Sequence, residues 1–130
     1  MNIIIKIFLS LTLIFSLNGC FSTRLPIQDI SEIDKDVMKQ VYQIKTYYIG
    51  QNVPEIKEFL GSVSGYSCRS LTWEKRANAG DALIQLKLNA HKLGADGILD
   101  ITFDNHGTDA WSTNCWEGVA ATGMAVKFKK

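Results

Sequence analysis

The sequence predicts an α+β domain in which one main helix packs on one face of a small sheet of about four strands. Apolar residues recur at spacings of three and four between positions 78 and 93, which is the period of a helix. Segments on either side alternate apolar with polar residues, or are rich in β-branched and aromatic residues, as strands are. The predicted order is strand, strand, helix, strand, strand.

The first residues have the three parts of a secretory signal. A short segment ending at Lys6 precedes an eleven-residue apolar run, Ile7 to Leu17, which is too short to span a bilayer as a helix. The following Leu17-Asn18-Gly19-Cys20 fits a lipobox, in which the thiol receives a diacylglycerol and the peptidase cuts before it. We therefore expect a lipoprotein signal over residues 1–19 and lipidation of Cys20. The alternatives are a transmembrane anchor, or an ordinary signal peptide with a chance cysteine.

Residues 20–40 mix charged with scattered apolar residues and contain one proline, Pro26. They are predicted to form the lipidated N-terminus and a tether, in which Ile30, Ile33 and Val37 make a weak helical stripe. The folded periplasmic domain is then expected over residues 41–130. A tether of this length reaches at most about 65–70 Å.

The domain's elements follow in order. Val41 to Ile49 alternates and predicts a strand, a single helical turn is expected at Pro54 to Glu58, and residues 59–65 predict a second strand leading to Cys68. The helix is expected from Asn78 to Leu93, with Gly94 as its C-terminal cap. A strand over residues 98–103, a polar loop over residues 104–114 and a last strand over residues 117–128 complete the domain.

Charge and motif content exclude several functions. Lys6 is the only charged residue of the signal, so the mature chain is formally neutral, and no nucleic-acid partner is predicted. His106 and its neighbouring aspartates supply too few convergent ligands to predict a metal site. The serines of Gly61-Ser62-Val63-Ser64-Gly65 do not match a nucleophile elbow. We predict no catalytic residue, no metal and no cofactor, and hence no enzyme.

Two cysteines remain once Cys20 is acylated. An even number in an exported protein predicts a disulfide between Cys68 and Cys115. Such a bridge closes a loop of roughly 48 residues and stabilises the fold by about 4 kcal/mol in the chain-entropy model. It is interpreted as a structural staple, with redox sensing as the alternative.

Three tryptophans stand near these cysteines in the sequence: Trp73, Trp111 and Trp116. Tryptophan is enriched where protein interfaces concentrate their binding energy. We expect these three residues, with Tyr66, to contribute to a partner-binding surface. The alternative is that they shield the disulfide in a small core.

Several segments together resemble a known family. Leu60-Gly61-Ser62-Val63-Ser64-Gly65-Tyr66-Ser67-Cys68 is similar to the L-G-x-V-S-G-x-S-C segment of the RcsF-type stress-sensing lipoproteins of the Rcs system. The likeness continues through Asn89-Ala90 and Leu93, through residues 95–99, and through Cys115-Trp116 and residues 123–126. It covers most of the chain from Val41 onwards.

The resemblance implies an outer-membrane lipoprotein whose domain faces the periplasm and senses envelope stress upstream of a phosphorelay. It implies two kinds of partner, outer-membrane β-barrel proteins and an inner-membrane signalling regulator. The family has a second disulfide, whose positions fall here on Phe103 and Ala121, and its best-known members have a much longer, proline-rich tether. The alternative function is a small oligomeric ligand- or metal-binding exported module, which the helix-turn-strand unit around Gly94-Ala95-Asp96-Gly97 also fits.

Overall fold

The computed structural model describes residues 27–107 and 115–130. A 3-10 turn, Ile30–Glu32, precedes two helices, α1 (Lys35–Gln43) and α2 (Ala79–Lys92). The four strands are β1 (Lys45–Thr46), β2 (Ile56–Arg69), β3 (Gly97–Gly107) and β4 (Glu117–Phe128). They form one sheet in the order β1-β3-β4-β2, in which only the β1–β3 pair is parallel. The predicted α+β class with a four-stranded sheet is confirmed.

The core lies between α2 and the sheet. Alternate residues of the strands point to this side, among them Val63, Ile98, Val119 and Ala121, and α2 contributes Leu86. Gly65 allows the closest approach, because a Cβ atom there would lie 2.1 Å from the backbone nitrogen of Leu86. No side chain larger than hydrogen fits at that point of β2.

Helix α2 begins and ends close to the predicted positions. The side chain of Asn78 accepts a hydrogen bond from the N–H of Asp81 and caps the N-terminus. Gly94 has a φ of +75°, its N–H donates to the carbonyl of His91, and the N–H of Ala95 donates to the carbonyl of Ala90. This is a Schellman motif, in which glycine adopts the left-handed conformation most easily. The predicted helix and its glycine cap are confirmed.

The first predicted strand is wrong over most of its length. Residues up to Gln43 belong to α1, and only Lys45 and Thr46 form a strand. The side chain of Asp34 accepts hydrogen bonds from the N–H groups of Asp36 and Val37 and so starts a helix. Val41 and Ile44 are buried on its inner side, at 0% and 5% exposure, and Tyr42 points outwards. Burial at helical spacing outweighs the β propensity of these residues.

Other boundaries also differ from the prediction. The expected helical turn at Pro54 to Glu58 is wrong, since β2 already begins at Ile56 and Lys129 N–H donates to the carbonyl of Glu55 beside it. Strand β3 continues to Gly107, so the first residues of the expected loop extend the sheet, and residues 108–114 lie outside the described part.

The folded part begins before residue 41, the predicted start of the domain. The N–H of Gln28 donates to Oε1 of Gln85, and Nε2 of Gln85 donates to the carbonyl of Gln28. Gln85 itself is buried, at 3% exposure, on the side of α2 next to α1 and the N-terminal segment. More than half of the stretch interpreted as a tether, from Gln28 onwards, therefore belongs to the folded part.

β2 lies at one edge of the sheet, next to α2. Nδ2 of Asn89 donates to the backbone carbonyl of Ser64 over 2.7 Å. The β2–β4 register also shifts twice near the start of the strand, between Ile56 and Glu58 and between Phe59 and Gly61.

Candidate functional site

The disulfide joins Cys68, in β2, to Cys115, just before β4. The two Cα atoms are 5.5 Å apart, within the normal bridging range, and the predicted pair is confirmed. Because β2 and β4 pair through Cys68 and Gly118, the bridge reinforces a connection that the strands already make. It fixes the end of the sheet at which β2 ends and β4 begins.

The residues after Cys68 are organised by the guanidinium of Arg69. Its Nε donates to the carbonyl of Leu71, and its Nη2 donates to the carbonyl of Thr72. Its Nη1 lies 3.8 Å from a carboxylate oxygen of Glu117. One side chain thus satisfies two loop carbonyls and ties the loop to the first residue of β4.

The same loop is closed from its other side by Glu74. Its carboxylate accepts hydrogen bonds from the N–H groups of Ser70 and Leu71, and its own N–H donates to the carbonyl of Leu71. The loop is therefore a compact turn with its polar backbone groups engaged. Such a turn fixes the direction in which its side chains point.

Glu117 is the carboxylate that joins the loop to the sheet. Nη2 of Arg76 donates to its Oε1 over 2.7 Å, and Nε of Arg76 lies 3.2 Å from the same oxygen. The hydrogen bond from Arg76 holds the pKa of the Glu117 carboxyl below its ordinary value, and the positive charges of Arg76 and Arg69 act in the same direction. In return, Glu117 raises the pKa of Arg76.

The predicted partner-binding aromatics that the structure describes lie at this end of the sheet. Trp73 is 80% exposed and Trp116 is 62% exposed, and Leu71 between Arg69 and Trp73 is 42% exposed. Tyr66 is half-buried on the same side of β2 as Cys68, two residues before it. Together these four residues are called the aromatic end below. Trp111 lies outside the described residues.

The large exposure of Trp73 and Trp116 bears on whether these residues shield the disulfide or form part of a surface. A tryptophan that shields a disulfide loses most of its accessible surface, whereas Trp73 and Trp116 keep most of theirs. The N–H of Trp116 donates to the carbonyl of Arg69 over 2.8 Å, so its backbone is fixed although its ring is open. The two rings are therefore exposed apolar groups on an ordered backbone.

Sequence reasoning missed the charged residues that build this surface. The sequence offered no reason to single out Arg69, Arg76 or Glu117. Arg76 and Arg69 lie 41 and 48 residues before Glu117 in the chain, so no local sequence pattern connects the three residues. Only the fold brings them together.

Within residues 27–107 and 115–130, no three His, Cys, Asp or Glu side chains gather in a group that could hold a metal ion. Over this range there is also no helix of the length and apolarity that crossing a membrane requires.

Comparison with known proteins finds distant likeness among solved structures. No family model matches the sequence, and no curated protein matches it either. Among solved structures, a protein of unknown function from Pediococcus pentosaceus, assigned to the DUF74 family, is similar at 16% sequence identity with a TM-score of 0.47. The match covers 66% of this chain and 98% of that one.

Proposed function

We propose that this protein is a lipid-anchored envelope protein that acts as a sensor or adaptor by binding a protein partner through the aromatic end. The observation that supports this most is the exposure of Trp73, at 80%, on a loop whose backbone Arg69 and Glu74 hold in place. A tryptophan on an ordered loop binds a partner at low entropic cost, because the loop backbone does not have to become ordered on binding.

The charges around the aromatic end agree with a protein partner. Arg69 and Arg76 are paired with Glu117, Lys75 is paired with Asp81, and Glu74 accepts from the loop backbone. The exposed surface that remains is apolar and close to neutral. This favours contact with an apolar protein surface over binding of an anionic polymer.

The envelope location rests on the sequence. The lipobox at Cys20 and the resemblance to RcsF-type lipoproteins support an outer-membrane anchor, a periplasmic domain, outer-membrane β-barrel partners and a role upstream of a phosphorelay. Phe103 and Ala121 add a structural observation, because they are directly opposite each other on β3 and β4. These are the two positions at which the resemblance places the family's second disulfide.

Anchoring is tested by labelling cells with palmitate. The mature wild-type protein should carry the label, and Cys20→Ala should lose it and should not reach the membrane fraction. Wild-type protein that is unlabelled and freely soluble in the periplasm would refute the anchor.

Binding is tested with Trp73→Ala in full-length protein. We expect unchanged lipidation and melting temperature, together with loss of crosslinking to the partner and of the envelope-stress response. Ile49→Ala is the matched control, since Ile49 is 72% exposed but lies away from the disulfide, between β1 and β2. A folded Trp73→Ala variant that crosslinks and signals normally would place the binding surface elsewhere.

The oligomeric binding module remains the second candidate from the sequence. An oligomer by size-exclusion chromatography, or bound metal by elemental analysis, would favour this module. A monomer without bound metal would favour the partner-binding lipoprotein.

A further inference from the structure

An open groove lies between the 3-10 turn and α1. Its volume is about 730 Å³, which is enough space for several side chains of another molecule. Its lining includes four apolar residues and two lysines, namely Ile30, Ile33, Met38, Tyr42, Lys35 and Lys39. The groove shares no residue with the aromatic end, so it is a separate surface of the protein.

Both sides of the groove have an ordered backbone. The carboxylate of Asp29 accepts hydrogen bonds from the N–H and the hydroxyl of Ser31 and begins the 3-10 turn. The carboxylate of Asp34 accepts from two N–H groups of the first turn of α1. Val41 holds α1 to the domain, since its side chain is completely buried. The groove is therefore formed before a partner binds, and binding does not require its backbone to become ordered.

Helix α1 presents two neighbouring rows of side chains to the groove. Lys35 and Lys39 are four residues apart, as are Met38 and Tyr42, so the members of each pair lie on the same side of the helix. Tyr42 is 62% exposed, and Met38 is half-buried. An apolar row and a basic row thus lie side by side along α1.

The charged residues that line the groove are all positive. Within residues 27–107 and 115–130, neither Lys35 nor Lys39 forms an ion pair. The four acidic residues of the same segment do not line the groove, namely Asp29, Glu32, Asp34 and Asp36. Cations beside apolar side chains are complementary to a partner that carries carboxylates beside apolar side chains.

We propose that this groove is a docking site for an amphipathic helix of a protein partner. Apolar side chains of that helix enter the groove, and two acidic residues one turn apart pair with Lys35 and Lys39. An anionic membrane surface fits the groove less well than a helix. Ile30, Ile33 and Met38 are half-buried, so single side chains can reach them but a flat layer of headgroups cannot. This site goes beyond the binding proposed for the aromatic end and does not depend on lipidation of Cys20.

The occupant of the groove is tested by photo-crosslinking in cells that produce the full-length protein. A photoreactive residue replaces Gln43, which is exposed and lines the groove, and the crosslinked product is mapped by mass spectrometry. We expect a protein segment with apolar residues at helical spacing and with Asp or Glu residues beside them.

The two lysines are tested by charge removal in the same experiment. Lys35→Gln combined with Lys39→Gln should reduce the yield of this product by about five- to tenfold, because two exposed ion pairs are lost. Lys57→Gln combined with Lys92→Gln is the matched control. It removes the same charge from two exposed positions outside the groove and should leave the yield unchanged.

The apolar row is tested with Tyr42→Ala, which should also reduce the yield several-fold while leaving the melting temperature unchanged. Ile49→Ala removes an exposed apolar side chain outside the groove and should have no effect on the yield. Trp73→Ala should leave the product at Gln43 unchanged, since the groove and the aromatic end share no residue.

Several results would overturn the inference. A product joined to a phospholipid would show that the groove lies on a membrane surface, and the absence of any product would show that nothing docks there. A yield that does not respond to loss of both lysines would refute the charge complementarity. Loss of the product in Trp73→Ala would refute a separate site and leave the binding role of the aromatic end intact.

Discussion

Gly65 of β2 touches the backbone of α2 at Leu86. A Cβ atom added at Gly65 would lie 2.1 Å from the nitrogen of Leu86 and 2.4 Å from the carbonyl oxygen of Ala82. Both neighbours are backbone atoms inside a helix, so neither can rotate away. The glycine within Val63-Ser64-Gly65 is therefore required by the packing of the helix on the sheet.

The first prediction follows from this contact. Gly65→Ala should lower the free energy of unfolding by about 3 kcal/mol or more, because α2 has to move away from the sheet. Ser64→Ala, one residue earlier on the other face of β2, should cost less than about 1 kcal/mol. Urea unfolding followed by circular dichroism measures both, and equal stability of the two variants would contradict the contact.

The disulfide supplies the second prediction. Cys68→Ser and Cys115→Ser should each destabilise the domain by about 2–4 kcal/mol, because the unfolded chain regains the freedom of the closed loop. The double variant should cost little more than either single one, since each change already removes the whole bridge. Costs that add in full would mean that the two residues act independently.

The third prediction concerns acid. The pKa of Glu117 is lowered in the folded state, first by its hydrogen bond from Arg76, relative to an ordinary value of 4.5. Its stabilising contribution is therefore complete at neutral pH and is lost as the pH falls through the lowered pKa. Glu117→Gln should lower the urea midpoint at neutral pH, and should lower it progressively less as the pH falls through the lowered pKa of the wild-type carboxyl. The same difference at every pH would rule out this linkage.

The fourth prediction uses Phe103 and Ala121. Residues directly opposite each other in an antiparallel pair have Cβ atoms about 4.5–5.5 Å apart, close to what a disulfide requires. Phe103→Cys combined with Ala121→Cys should therefore oxidise to a second bridge, detectable by non-reducing peptide mapping. Phe103→Cys with Ala120→Cys is the control, because Ala120 faces the other side of the sheet, and it should keep both thiols free. Free thiols in the first pair would contradict the register.

The sequence predicted the elements whose signals are local. The stripe through α2, its Asn78 and Gly94 caps and the alternation of β4 all arise from neighbouring residues, and the structure shows them where they were expected. The strand predicted at Val41 to Ile49 failed because alternation and helical spacing overlap there. The burial that decides between them depends on α2, more than thirty residues further along the chain.

The candidate site was predictable in part for the same reason. Two cysteines in a chain that is predicted to be exported indicate their own partner, whereas the bonds from Arg76 to Glu117 and from Gln85 to Gln28 span 41 and 57 residues. Buried glutamine within a helix looks in the sequence like a break in the apolar stripe. The role of Gln85 is apparent only in the folded structure, where its side chain bonds with the backbone of Gln28.

The hydrogen bond from Asn89 to the carbonyl of Ser64 has a consequence for the self-association of this protein. An outer strand fourteen residues long exposes a row of backbone groups that can recruit a strand from another copy and start aggregation. The Asn89 amide occupies one of these groups near the middle of β2, and the irregular register with Lys57 and Glu58 disturbs the beginning of the strand. Both features oppose the pairing of β2 with a strand from another copy, although β2 lies at the edge of the sheet.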